Sequence, residues 1–359
     1  MDMEAFLCML LGVSLAVGSA MMAADLDDYD GAKLRTAQGG TRIVAPILLF
    51  GEYQDGDYTF TLDEDGAVIA RYTVRKGETP SIVQVPETLS GYPVVAIGKG
   101  GFNNDAGDYD GKAVDEIILP KTLKRLEPGA FDCCHDVRKI RFPASLESIP
   151  VSCFQHVIAE IVVDMENPYF YVQDGFLIDR RTNTLLYTYS PDVPDPLVLP
   201  DVEYILSGAI ENLSSKSSIT LPQTLKCISS YTFYDAINLT ELYIPDNVIE
   251  LEPFALAVTS LFSVRLPKSL RHIPAACFDG SFFLKQIEIP DTVETIGEYA
   301  FYDTALSEVF LPPSVRFVGY RAFSESVNVL YHHDDIYFEH KEAYEARMDK
   351  VDLYDHYGE

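Results

Sequence analysis

Side chains that ligate metals or attack carbonyls gather at two places in this 359-residue chain. His332-His333-Asp334-Asp335 offers imidazole and carboxylate, the donor types of a zinc-like site. Neighbours on a strand face opposite sides, so only alternate members could share an ion, and the competing reading is a solvated turn. Cys133-Cys134-His135-Asp136 has the types of a thiol and imidazole pair, but Cys134 stands at a small-residue position three after Phe131 and reads as core. Six cysteines, at 8, 133, 134, 153, 227 and 277, include no C-x-x-C pair, so neither a disulfide framework nor a zinc site is indicated. Cys153 and Cys277 directly precede Phe154 and Phe278 and read as small buried side chains. Cys227 falls at an outward position and is the candidate free thiol. There is no G-x-S-x-G, no H-E-x-x-H, no phosphate-binding glycine loop, and the acids of Asp25 to Gly31 fit no EF-hand register. The expectation is no catalytic residue, no metal and no cofactor.

The elements that would position these groups repeat. Leu284-Lys-Gln-Ile287-Glu-Ile289-Pro290, Val293, Ile296-Gly297 and Ala300-Phe301 recur as Leu306, Val309, Leu311-Pro312, Val315, Val318-Gly319 and Ala322-Phe323. Prolines 200, 222, 245, 267, 290 and 312 are spaced 22, 23, 22, 23 and 22 apart, after Pro86, Pro120 and Pro143 in the same role. A fixed period of this length is the signature of a solenoid. Before each proline the residues at minus three and minus one are apolar, as in Ile117/Leu119, Leu242/Ile244 and Val309/Leu311. That period of two predicts a short strand with one face inward, ended by a residue that has no N–H for the ladder. Apolar residues three and six later return inward, and Gly98, Gly297 and Gly319 follow at turns where a positive φ is expected. Eleven past the proline stands an aromatic, Phe131, Phe154, Phe233, Phe278, Phe301 or Phe323, with Leu256 once. Stacked at about the strand spacing of 4.8 Å, these rings form a file inside one elongated apolar column.

The count is broken once. Asn167-Pro168, Asp174-Gly175 and Arg180 to Asn183 separate β-rich runs and predict a three-strand meander inserted at 166–196, whose Tyr169, Tyr171, Tyr187 and Tyr189 either meet a partner or pack on the next coil. Hairpin chemistry at Asp55-Gly56 and Asp65-Gly66 predicts a β unit over 42–80 that covers the first coil. Residues 331–359, helix-forming from Tyr337 to Tyr354, are the expected lower cap. Residues 6–24, FLCMLLGVSLAVGSAMMAA, have the shape of a secretory signal cut near Ala20 or Ala24, although Asp2 and Glu4 stand where lysine or arginine is usual. A buried helix or anchor is the other reading. Residues 25–41 read as an acidic, glycine-rich linker.

The repeats resemble the BspA-like leucine-rich repeats, on the strength of the L-x-x-I-x-I-P run at Leu284 to Pro290, the V-x-x-I-G turn at Val293 to Gly297, Ala300-Phe301, and the opening Leu89-Ser-Gly-Tyr-Pro-Val94. The resemblance covers roughly 42 to 330. It implies a β-rich leucine-rich repeat solenoid of about ten coils over 81–330, and a secreted or surface-exposed protein without enzymatic activity. Some relatives adhere to host proteins or to other cells. Gly100-Gly101, the acidic insertion at Asn103 to Gly111 and Pro253-Phe254-Ala255 depart from the pattern.

A net charge of -28 argues against nucleic acid or an anionic bilayer as partner and for a basic one. The outward row two before each proline is the surface singled out, with Arg141, Tyr243, Arg265, Glu288 and Phe310 as candidate contacts for a protein or glycan on a host or neighbouring cell. The alternatives are a merely solvated sheet face and an envelope spacer without a ligand.

Overall fold

The computed structural model describes residues 51–73, 80–102, 114–132, 134, 137–154, 157–189, 196–210, 217–331 and 335–340. These all belong to the compact unit Phe50–Glu359. The segment 1–24, the linker 25–41, the insertion 103–111, the 341–359 part of the expected lower cap, and His135, Asp136 and His332 to Asp334 lie outside them. Among the described residues there is no helix; the chain is a β-solenoid of about ten turns.

Each coil has three corners, and each corner stacks into a parallel ladder. The first ladder is the strand before the proline. Ile82–Gln84, Glu116–Ile118, Lys139–Phe142 and Glu160–Val163 form one sheet, and Leu197–Val198, Ser218–Thr220, Glu241–Tyr243 and Ser263–Arg265 form a second. Leu242 is buried between exposed Glu241 and Tyr243, the alternation that the period of two demands. The second ladder carries the return strands, among them Cys227–Ile228, Glu250–Leu251, Thr295–Ile296 and Phe317–Val318. Hydroxyls tie one coil to the coil before it. Thr224 donates to the Val202 carbonyl at 2.8 Å and Thr292 to that of Leu270 at 2.7 Å.

The third ladder runs under the aromatic file. The Phe278 N–H donates to Ala300 at 2.8 Å and that of Phe301 to Ala322 at 2.7 Å. Phe301 lies between Phe278 and Phe323 with ring centroids 5.1 and 5.2 Å away and planes within 6°. Earlier in the chain Tyr72, Phe102, Phe131 and Phe154 make a second file. Two residues before each ring at the repeat position, or before Leu256 in its place, the backbone is left-handed, at Gly129, Ser152, Tyr231, Phe254, Ala276, Tyr299 and Arg321. Gly297 and Gly319 are not among these positive-φ residues, which corrects the expectation for those turns. They are glycine because a Cβ on Gly297 would meet the Ala275 nitrogen at 2.5 Å, and one on Gly319 the Glu298 nitrogen at 2.4 Å. Gly98, also without a positive φ, sits against the Ile69 carbonyl.

The meander is Phe170–Gln173, Phe176–Asp179 and Thr184–Thr188, antiparallel, with the last strand joining the return ladder at Tyr204–Ile205. Buried Asn167 anchors its start. The side-chain amide donates to Pro143 and Leu146 carbonyls at 3.0 Å, and the oxygen accepts from Tyr169 and Phe170 at 2.8 Å. Tyr187 is core, while Arg181 and Arg180 lie over Tyr169 and Tyr171. The meander divides the interior, so the expected single column is two apolar clusters meeting there.

Two further expectations are corrected. Residues 286–289 form no strand, and the segment ahead of them carries exposed Phe282 and Phe283 outward. Tyr337–Phe338, expected to open a helix, is a strand extending the return ladder beside Phe317–Val318, because the Tyr337 ring stacks on Phe317 at 5.8 Å.

Candidate functional site

The outward row projects because its members alternate with core residues, and the sheets decide which of them meet. Tyr243 and Arg265 are register partners in adjacent strands. The guanidinium lies 4.5 Å from the Tyr243 ring centroid and grips both Asp246 oxygens at 3.0 and 2.9 Å. Asp246 also accepts the Lys268 N–H at 3.0 Å; that N–H, then Arg265, holds the carboxyl below its usual range. Arg265 is therefore fixed in place, with its charge already answered. It shapes the face and stiffens Tyr243. Tyr243 is 51% exposed and Phe310, in strand Glu308–Phe310, 47%. Glu288 is exposed in the segment that leaves the ladder, so it stands between Phe310 and the Tyr243/Arg265 pair without joining their sheet. Arg141 belongs to the first sheet, beyond the meander, and is paired with Glu116 at 2.5 Å. The structure thus brings Tyr243 and Arg265 together and leaves Arg141 apart.

The sequence reading missed the leading edge of this face. Phe262, next to Ser263, and Phe282 and Phe283 are 48%, 63% and 48% exposed, and the Phe262 and Phe283 rings are 5.6 Å apart. The signal was present in the doublets Leu261-Phe262 and Phe283-Leu284, where only the leucine is in core register. It also missed a groove of about 260 Å³ at the aromatic corner, lined by Ser152, Cys153 and Phe154, by Leu186 and Leu206, and by Gly208, Tyr231 and Tyr234.

Cys227 is buried, which corrects its reading as a free outward thiol. Its small side chain sits in register between Tyr204 and Glu250, and burial, then the charges of Glu252 and Glu250, push its pKa up to about 12. Burial pushes Cys153 up to about 12 as well. Cys134 and Cys277 are also buried. Of the His332 to Asp335 run only Asp335 is described. Among the described residues no three histidine, cysteine or acidic side chains are placed to hold a metal ion. Among them also, no helix is long and apolar enough to cross a membrane.

The family pattern described as BspA type leucine rich repeat region matches residues 106–174 and 203–329, in six copies. No curated protein matches. Solved structures that are similar include a leucine rich cell surface protein from Faecalibacterium prausnitzii, 16% identical, with 82% of this chain and 97% of that chain covered and a TM-score of 0.45. A leucine-rich repeat protein from Eubacterium ventriosum is 17% identical, with 79% and 96% covered and a TM-score of 0.49. One from Bacteroides ovatus is 17% identical, with 80% and 66% covered and a TM-score of 0.38.

Proposed function

Since this chain belongs to the BspA-type leucine-rich repeat family, we propose that it is a non-enzymatic scaffold displayed outside the cell that holds a protein or glycan partner against the outward face of its repeat strands. The observation that carries this is the exposure of Tyr243 and Phe310 on a face that also presents Thr220, Glu241, Ser263 and Glu308. In the interior of the same coils Phe278, Phe301 and Phe323 are accounted for by stacking and Phe233 by burial. Tyr243 keeps half of its surface open even with Arg265 laid over its ring, Phe310 is about as exposed, and half-exposed aromatics are the residues that dominate binding energy. Phe262, Phe282 and Phe283 enlarge the apolar area beyond what scattered surface residues give.

The fixed ion pair of Arg265 and Asp246 supports the same reading, since a stiffened tyrosine loses little entropy when it is covered. The net charge of -28 favours a cationic partner through long-range steering. The test is retention of the purified chain on arrays of matrix proteins and glycans, beside a variant with Tyr243→Ala, Arg265→Ala and Phe310→Ala. Loss of retention in a variant of unchanged fold supports the site. Equal retention refutes it.

A further inference from the structure

The groove at the aromatic corner arises from what the meander takes away. In a regular coil the corner makes two bonds to the next coil. Gly129 N–H donates to Ser152 at 2.9 Å and Phe131 N–H to Cys153 at 3.2 Å; Phe254 N–H and Leu256 N–H do the same to Ala275 and Cys277 at 3.3 and 3.0 Å. After Phe154 the next element is the meander. Its Tyr187 supplies a ring, 5.0 Å from that of Phe154, and so extends the file. Its backbone, in an antiparallel strand, supplies no corner. The N–H groups of Ser152 and Phe154 consequently have no partner among the described residues, and neither do the carbonyls of Gly208 and Ala209 on the coil that follows. Donors stand on one wall and acceptors beyond them. Gly208 has no side chain at the left-handed position where Tyr231 and Phe254 have rings, so the floor is low there and Tyr231 and Tyr234 rise as the far wall. Buried Thr188, on the strand face of Leu186, and buried Thr232, next to Tyr231, each have a hydroxyl with no partner among the described residues.

We propose that this groove takes one extended peptide segment of a partner protein, which supplies the missing backbone rung. Its carbonyls accept from Ser152 and Phe154, its N–H groups donate to Gly208 and Ala209, and one apolar side chain packs among Leu186, Leu206, Tyr231 and Tyr234. Open main-chain donors and acceptors recognise a backbone, which is the logic of strand addition. A sugar has no such alternating set. None of the lining residues is charged, whereas the chain around them carries 55 acids against 27 lysines and arginines. The flanks of the peptide are therefore basic. This site is separate from the strand face and stands or falls independently of it.

The experiment titrates the full chain with a fluorescent hexapeptide, Lys-Lys-Val-Phe-Lys-Lys. Three controls accompany it: the same peptide N-methylated at its two central amides, its Glu-Glu-Val-Phe-Glu-Glu counterpart, and a chito-hexasaccharide. Saturable binding of the basic peptide is expected, weakened about tenfold or more by N-methylation, since the lost hydrogen bonds leave buried carbonyls unpaired, and weakened by added salt. Ser152→Tyr is the blocking variant. Its position holds tyrosine, phenylalanine or arginine in other coils, so the fold accepts the ring while the groove is filled. It should abolish binding with thermal unfolding unchanged. Tyr231→Ala should weaken binding about tenfold or more. Absence of saturable binding, equal binding of the methylated or acidic peptide, preference for the oligosaccharide, or indifference to Ser152→Tyr each overturns the proposal.

Discussion

Replacing Phe301 by alanine tests the aromatic file where it is most regular. The ring is fully buried and faces Phe278 and Phe323 at 5.1 and 5.2 Å. Emptying such a site costs about 3–5 kcal/mol, and each lost stack adds about 0.5–1.5 kcal/mol beyond area. With a urea slope of about 3 kcal/mol per molar, the midpoint should fall by about 1–3 M. Phe301→Leu reproduces what Leu256 already does in its own coil and should cost about 1 kcal/mol, a shift of about 0.3 M. Because a coil touches only its neighbours, amide exchange should quicken first around Phe278 and Phe301, while Phe102 and Phe131 in the other cluster stay protected. The reasoning is refuted if the alanine variant unfolds no earlier than the leucine variant. Uniform loss of protection across both clusters would refute it too.

Other changes have equally definite outcomes. Gly297→Ala should destabilise by about 1–3 kcal/mol in a denaturant titration, because its Cβ meets backbone of the preceding coil; Gly51→Ala, with nothing within 4 Å, should be silent. Val258 is β-branched at φ 57 where Asp235, Gly280 and Asp303 occupy the same turn, so Val258→Asn should raise stability by about 0.5–1 kcal/mol by calorimetry. Native Cys134, Cys153, Cys227 and Cys277 should resist a thiol reagent at pH 8 and react only after unfolding, read by mass spectrometry. Burial, then the Asp303 charge, raises the Asp279 carboxyl. The unfolded chain therefore ionises first as pH rises, and folding stability falls between the unfolded and folded pKa values. Asp279→Asn should be the more stable protein at pH 7, with the gap closing in acid.

The proline spacing and the recurring rings made the coil legible, because a period of two and a period of 22 or 23 each have one physical cause. Glycine was not so transparent. Gly297 and Gly319 were read as positive-φ turns, whereas the left-handed residues are Tyr299 and Arg321 nearby. A missing Cβ serves dihedral freedom and close approach alike, and sequence does not separate them. Cys227 was misread for a related reason: its exposure is set by Tyr204 and Glu250 from other coils. Of the candidate row, the register of Tyr243 and Arg265 was legible. The loss of the strand at Glu288 was not, since the nine residues from Phe278 to Ile287 match those from Phe233 to Leu242, where the strand is kept. The groove is a place where two rungs are missing, and it came from the meander itself, which was seen, combined with a corner ladder that was not.

The most direct measurement is a hydrogen-exchange footprint of the intact chain with the partner recovered from the surface arrays. Protection concentrated at 241–243, 263–265 and 308–310 is the result expected if the strand face does the holding. Protection confined to the return strands or the coil ends, with those nine residues unchanged, would contradict it.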